Sequence, residues 1–160
     1  MKKQFFALIF LCFVIIRSFS QAYFQQDVNY FINVRLDDVK HELFADETIV
    51  YTNNSPNDLT FLYFHLWPNA YKNNKTARGK QLLENGSTKF HYSKKEQRGY
   101  IDSINFKVNG ESVKWAKEKT NIDICKIILN EPLLSGKTIT ITTPFHVKIP
   151  IGVFSRLGHI

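Results

Sequence analysis

Residues 28–37 read VNYFINVRLD, and their polarity alternates with a period of two. The apolar positions of this pattern are Val28, Tyr30, Ile32, Val34 and Leu36. The polar positions between them are Asn29, Asn33, Arg35 and Asp37. Such alternation is typical of a β-strand, whose side chains point in turn to its two sides. We therefore expect a strand that packs on a core with one face and meets water with the other.

Further segments of the chain carry strand-like runs of apolar and β-branched residues. They are residues 41–52, 59–66, 100–108, 122–129 and 138–149. The segment 59–66 is apolar on both faces, which predicts a central position in its sheet. Pro144 lies inside the last segment and suggests an edge strand or a bend, because proline has no N–H to donate to a neighbouring strand.

Turn-forming residues separate these segments. Asn109-Gly110 is the strongest hairpin signal, because a type I′ turn needs positive φ at both of its central positions. We expect Val113 and Trp115 to begin the strand that returns from this turn. Residues 53–58 and 133–137 are also rich in turn formers. The pattern as a whole predicts an all-β fold.

The region 72–98 departs from the strand pattern and is strongly basic. Residues 76–85 predict a short helix, with Thr76 capping its start and Gly86 supplying a left-handed stop. Eight Lys or Arg against two Glu give this region a net charge of +6. It could bind nucleic acid or anionic glycans. We favour a solvated loop, because the charge is spread over the whole region.

Composition limits the class of protein. The chain has 160 residues, 14% of them aromatic, with 7 Gly and 5 Pro, which excludes a disordered or collagen-like chain. Two cysteines exclude a disulfide scaffold. We therefore expect one β domain over residues 21–160, with the basic insertion inside it.

The first 20 residues have the layout of a secretory signal peptide. Two lysines precede the apolar run from Phe5 to Ile16, and small residues then lead to a cleavage site between Ser20 and Gln21. A membrane anchor is the weaker alternative, since a spanning helix needs about 20 apolar residues. Cleavage removes three cations and lowers the net charge from +7 to +4. We expect export to the periplasm or the extracellular space, without a stable membrane anchor.

The sequence assigns no catalytic, metal-binding or substrate-binding residue. His41-Glu42 matches only the start of HExxH, because Ala45 occupies the second histidine position. The remaining histidines have no partner at ligand spacing; they are His65, His91, His146 and His159. No G-x-S-x-G elbow or phosphate-binding glycine loop occurs. Cys125 lies in an apolar strand-like run, which predicts a buried core thiol.

Two further segments, residues 64–71 and 150–160, carry aromatic or apolar side chains whose packing the sequence allows us to predict. In the segment FHLWPNAY (residues 64–71), Pro68 ends a strand, and we expect Trp67 and Tyr71 to fold over the edge of a core. Residues 150–160 are apolar at Phe154, Leu157 and Ile160, and we expect these side chains to need further chain to pack against.

Several of these segments together resemble the N-terminal domain of aminopeptidase N-type zinc metallopeptidases, most closely the exported branch typical of Bacteroidetes. The matching segments are Tyr30 to Asp37, Ile49 to Pro56, Phe64 to Tyr71, Thr76 to Gly86, Arg98 to Asp102 and Ser155 to His159. The resemblance implies a saddle-like two-layer antiparallel domain that packs against a thermolysin-like catalytic domain.

The resemblance also implies where the chemistry lies. The family's G-x-M-E-N motif, HExxH motif and distal glutamate ligand do not occur in these residues. Zinc is therefore expected in a missing catalytic domain of the same polypeptide, with residues 150–160 beginning the connection to it. The chain itself is then a truncated, non-catalytic domain that walls the cleft for peptide N-termini. It needs no cofactor and binds no nucleic acid.

A second hypothesis comes from a different class of function. The chain could be a self-sufficient exported β-sandwich that binds a glycan or a protein through the basic insertion. That hypothesis predicts ligand binding that weakens with salt. Whether the chain belongs to an enzyme is left open by its own residues.

Overall fold

The computed structural model describes residues 23–152, 154, 158 and 159, and these residues form nine β-strands and one α-helix. In chain order the strands are β1 (Asp27–Asp37), β2 (Glu42–Thr52), β3 (Leu59–His65), β4 (Tyr100–Asp102), β5 (Lys107–Val108), β6 (Glu111–Ser112), β7 (Lys114–Lys117), β8 (Ile124–Leu133) and β9 (Thr138–Lys148). The helix α1 (Ala77–Glu84) lies between β3 and β4. The predicted signal peptide and its cleavage site lie outside the described residues.

The strands form two antiparallel sheets. Sheet A has the order β1-β2-β9-β5-β6, and β4 also pairs with β9. Sheet B has the order β3-β8-β7. The two sheets pack face to face around one apolar cluster. The predicted all-β sandwich is thereby confirmed.

The long strands β1, β2 and β9 set the two faces of sheet A. β1 pairs with β2 from Asp27↔Thr52 to Asp37↔Glu42, and β2 pairs with β9 over its whole length. Residues directly opposite each other in antiparallel strands point to the same side. Tyr30, Ile49 and Ile141 therefore share one face, which we call the inner face because Ile49 and Ile141 are buried against sheet B.

The core lies where sheet B covers sheet A. Cys125 and Ile127 of β8 are fully buried against Ile141 of β9, and Phe106 joins them from the segment between β4 and β5. The other buried members of this cluster are Ile49, Leu62, Leu66, Val113, Leu129, Leu133 and Ile139. The prediction that Cys125 is a core residue is confirmed.

Sheet B differs from the sequence-based expectation in the place of β3. The apolar character of both faces of residues 59–66 suggested a central strand, but β3 is an edge strand and β8 is central. Leu62 points into the core, whereas Phe61 and Tyr63 are exposed on the outer surface of sheet B. Apolar residues on both faces of β3 therefore reflect an exposed aromatic surface, not burial on both sides.

The return strand after Asn109-Gly110 is divided between the sheets. Both residues have positive φ, 50° and 87°, as the predicted hairpin requires. β6 pairs with β5 in sheet A, and the chain then crosses at the buried Val113 so that β7 pairs with β8 in sheet B. The expected strand beginning at Val113 and Trp115 thus belongs to the second layer.

Pro144 does not mark an edge strand, because β9 has neighbours on both sides. β4 pairs with β9 as far as His146, and β5 resumes the pairing at Thr142. Pro144 lies at this interruption, where no described strand pairs with β9 on one side and no N–H donor is needed. In the same gap, the Thr143 hydroxyl accepts a hydrogen bond from the Asn105 amide at 3.0 Å.

The basic insertion builds a second, smaller core. The side chain of Thr76 accepts a hydrogen bond from the Gly79 amide at 3.0 Å, and Gly86 has φ +80°, so the predicted cap and stop of α1 are confirmed. Below the helix, Phe154 packs edge-on against Phe90 at 5.1 Å between ring centroids. The second core consists of Ala70, Tyr71, Phe90 and Phe154.

Two expectations about aromatic residues were wrong in part. Tyr71 is buried as expected, but Trp67 is 51% exposed, because the 3-10 turn Trp67–Tyr71 directs it away from the core. Phe154 was expected to lack a partner within the chain, yet Phe90 and its neighbours cover it. Leu157 and Ile160 lie outside the described residues.

Candidate functional site

The inner face of sheet A is covered at β9 and β2, which we call its covered end, and open at the edge strand β1, which we call its open end. Sheet B covers β9 and the adjoining part of β2. On β1 only Val28 packs against the main cluster, and Tyr30 borders a cavity that β3 lines from the other side. Beyond Val28 the inner-face residues of β1 are Tyr30, Ile32, Val34 and Leu36, and we call these four side chains the open face. Tyr30 is 59% exposed, Ile32 52%, Val34 53% and Leu36 57%.

The open face corrects the expectation that β1 packs on the core. The strand forms as its pattern predicts, but only Val28 among its apolar positions packs against the main cluster. The reason is the width of the second layer: sheet B has three strands, and β1 is the last strand of sheet A. An aliphatic and aromatic row of this kind on a protein surface is typical of an interaction site.

Glu47 places one carboxyl group on the same inner face. It lies on β2 opposite Ile32 on one side and Thr143 on the other. Burial raises the pKa of Glu47 above its ordinary value. The side chain lines two small cavities between the sheets, of about 350 and 240 Å³, together with Phe64 and His65.

The outer face of sheet A carries a polar cluster around His146. Its Nδ1 atom lies 2.8 Å from Oδ1 of Asp102, and its Nε2 atom lies 3.5 Å from Oε2 of Glu42. Lys148 completes the cluster at 3.8 Å from Glu42, and Phe44 stacks on the imidazole at 4.8 Å between centroids. These residues come from β2, β4 and β9, so their sequence spacing could not reveal the cluster.

The His146 cluster lacks the arrangement needed for nucleophilic catalysis. The nearby hydroxyl of Ser103 donates to Asp102 at 3.1 Å and not to the imidazole. Tyr100 is also close, and burial followed by the charges of Asp102 and Glu42 raises its phenol pKa. The contacts of His146 join β2, β4 and β9, and no hydroxyl nucleophile in the cluster is bonded to the imidazole.

The residues that the structure describes do not form a zinc site. Within the described ranges, no three His, Cys, Asp or Glu side chains are grouped so that they could hold a metal ion. His41 stacks on His159 with ring centroids 3.6 Å apart, and His65 pairs with Asp123 at 3.1 Å. Neither pair has the third protein ligand that a catalytic zinc needs.

Cys125 is also unsuited to nucleophilic chemistry. The thiol is fully buried in the main core. Burial is the largest influence on it and raises its pKa to about 11, above the ordinary value of 9.0. A thiol with so high a pKa is almost entirely protonated at neutral pH, and the thiolate is the reactive form.

The basic insertion borders a surface cleft of about 750 Å³. Lys72, Lys95 and Arg98 line it beside Tyr100, and the Lys72 ammonium lies 5.8 Å from the centre of the tyrosine ring. Three carboxylates line the same cleft, those of Glu42, Glu96 and Asp102. Two aromatic residues of the insertion lie close to its basic side chains in sequence; Phe90 is buried and Tyr92 is exposed.

Among the described residues, no helix has both the length and the apolar character needed to cross a bilayer.

Comparisons with known proteins give similarity in structure but not in sequence. No protein-family model matches the chain, and no curated protein sequence matches it. The chain is similar to solved structures of an M1 zinc metallopeptidase from Deinococcus radiodurans, including a mutant bound to a Tyr-Ser-Ala substrate. It is also similar to a two-domain M1 zinc metallopeptidase mutant bound to L-arginine. Sequence identity is 13% and the TM-score is 0.47. The match covers 79% of this chain and 21% of the metallopeptidase, so the chain spans about a fifth of that enzyme's length.

Proposed function

We propose that the chain is the non-catalytic N-terminal domain of an exported zinc aminopeptidase, and that its open face packs against the catalytic domain. The open face is the observation that carries this proposal: four apolar side chains on one strand remain about half exposed. The resemblance of residues 28–159 to the N-terminal domains of such enzymes supplies the identity of the partner.

Covering the open face would be favourable in hydrophobic free energy. Full burial of a large aliphatic or aromatic side chain stabilises by about 1.5–3 kcal/mol. The open face leaves about half of that burial unused on each of its four side chains, so covering it would contribute roughly 3–6 kcal/mol. A covering layer would extend the sandwich that sheet B begins.

In the complete enzyme this domain acts by position and not by bond breaking. Its side chains line one wall of the cleft, exclude water from that side and restrict entry to a free peptide N-terminus. Zinc held in the catalytic domain would supply the Lewis acid that polarises the scissile carbonyl. That domain is expected in the same polypeptide, encoded after residue 160.

The proposal is tested by two measurements on the chain and its gene. The purified domain of residues 21–160, supplied with zinc, should not release amino acids from peptides or aminoacyl dyes. The reading frame that continues past codon 160 should encode HExxH with a distal glutamate. Zinc-dependent cleavage by the chain alone, or a continuing frame without a zinc motif, would contradict the proposal.

A second candidate is a stand-alone exported module that binds an anionic glycan. The observation that favours it is the cleft beside the basic insertion, where Lys72 and Lys95 flank Tyr100. Under this function, binding of a sulfated glycan would weaken steeply with salt. Lys95→Gln would also weaken glycan binding. The control Lys119→Gln, on an exposed loop, would leave glycan binding unchanged. Equal binding by both variants, or none by the parent chain, excludes this candidate.

A further inference from the structure

We propose that two copies of this chain pair through β1, antiparallel and centred on Phe31, so that sheet A continues across a two-fold axis. This inference uses the edge of β1, whereas the proposed function uses its open face. The two are therefore independent, and either can fail without the other.

The edge of β1 is a long and unprotected one. All 11 residues of the strand pair with β2 on one side. On the other side, no described residue pairs with it, so its outward N–H and C=O groups have no protein partner within the described ranges. A regular edge of this length is a template for a further strand, and most proteins protect such edges with prolines, bulges or covering loops.

A two-fold axis perpendicular to the sheet restricts how a second copy can pair. One residue of β1 must then lie opposite itself, and the inner faces of the two copies lie on the same side of the joint sheet. The apolar positions of one copy consequently meet the apolar positions of the other. Registers can differ only in steps of two residues.

The charges of β1 select one of these registers. With Phe31 opposite itself, Asp27 lies opposite the partner's Arg35, and the symmetry makes this ion pair occur twice. A shift of two residues in one direction would place Asp27 opposite the partner's Asp37, and a shift in the other would place it opposite an asparagine. Opposite charges across a strand pair stabilise it, and like charges directly opposite destabilise it.

The remaining cross-strand pairs in this register are matched in kind. On the inner face, Val28 meets the partner's Val34 and Tyr30 meets the partner's Ile32. On the outer face, Asn29 meets the partner's Asn33, and the two Phe31 side chains meet at the axis. Phe31 is 64% exposed, so it is free for such a contact. Arg35 lies over the Phe44 ring at 4.7 Å, which orients its guanidinium on the outer face.

Charge reversal tests the register. The full chain should sediment as a dimer at low salt, and either Asp27→Arg or Arg35→Asp should weaken dimerisation about tenfold or more, because each places like charges opposite each other twice. The double variant carrying both changes exchanges the charges and should return to within about threefold of the parent. A monomeric parent chain at about 100 μM, or a double variant no better than the single ones, would overturn the proposal.

Cross-linking tests the axis without disturbing the charges. In Phe31→Cys the two introduced cysteines would face each other at the Cα separation of an antiparallel pair, about 4.5–5.5 Å, which suits a disulfide. In the control Asn29→Cys the two cysteines would be about 13 Å apart. Both variants leave the cysteines of the parent chain unchanged, so the background is the same. Mild oxidation should give a covalent dimer of Phe31→Cys only; equal cross-linking of the two variants would contradict the register.

Discussion

The two ends of the inner face of sheet A, one at β2 and β9 and the other at the edge strand β1, carry similar apolar residues yet have different surroundings. At one end, Ile49 and Ile141 are buried under sheet B. At the other, Ile32 and Val34 have the same chemistry and the same period-two pattern but are more than half exposed. The comparison teaches that alternation in sequence identifies which side chains share a face, while burial depends on whether a second layer reaches that face.

The largest expected effect is the difference in the free energy of unfolding between a substitution at the covered end and the same substitution at the open end. Ile141→Ala should lower the free energy of unfolding by about 2–5 kcal/mol, because it leaves a cavity in a fully buried core. Ile32→Ala, the same substitution on the open face, should cost less than about 1 kcal/mol. Urea unfolding of both variants measures the difference. Equal losses would show that the open end is packed as tightly as the core.

A smaller loss of stability is expected from a substitution in the loop that follows β2. The Asn53 amide is fully buried and donates to the carbonyls of Asn57 and Leu133 at 2.9 and 3.0 Å. Asn53→Ala would leave these buried acceptors without their donor, at a cost of about 1–3 kcal/mol. Asn54→Ala, on an exposed neighbour, is the matched control and should cost much less. A change in the urea midpoint no larger than that of the control would contradict the assigned role of Asn53.

The helix α1 lies in the basic insertion and not in sheet A, and a smaller change in stability is expected there. Thr76→Ala removes the hydroxyl that caps α1 and should cost about 1 kcal/mol in the free energy of unfolding. Thr88→Ala changes an exposed threonine of the same insertion and serves as the control. If both variants unfold at the same urea concentration, the cap contributes nothing to stability.

The smallest expected effect on stability concerns the Glu47 carboxyl group, which lies on β2 between β1 and β9. Burial raises the pKa of Glu47 above 4.5, so folding favours its protonated form. The stability that this proton brings is present below pH about 4.5 and is lost as the pH rises through the raised pKa. Glu47→Gln should therefore raise the Tm at pH 7 and change it little at pH 4. The exposed control Glu131→Gln should change neither value, and a lower Tm of Glu47→Gln at pH 7 would contradict this account.

Much of the local structure could be predicted from the sequence. The period of two predicts β1, and Thr76 and Gly86 predict the limits of α1, because these signals act over a few residues. The assignment of strands to sheets could not be predicted in the same way. β3 is an edge strand, and the crossing at Val113 divides one predicted strand between two layers, since both depend on contacts between distant parts of the chain.

The same limit applies to the candidate sites. The residues of the open face were predicted as one face, but its exposure follows from the width of sheet B. The cluster of His146 with Asp102 and Glu42 joins three strands that are remote in sequence, so no motif could indicate it. Phe154 likewise packs against Phe90, from which it is separated by more than 60 residues in the sequence.

The central claim is that the open face is covered by a catalytic domain, and one binding measurement tests it most directly. The chain and the separately produced polypeptide encoded after codon 160 would be mixed and their affinity measured by calorimetry. Val34→Asp, on the open face, should weaken the complex at least a hundredfold, whereas the adjacent Asn33→Asp, on the outer face, should leave it within about threefold. Equal affinity of the two variants, or no complex with the parent chain, would contradict the account.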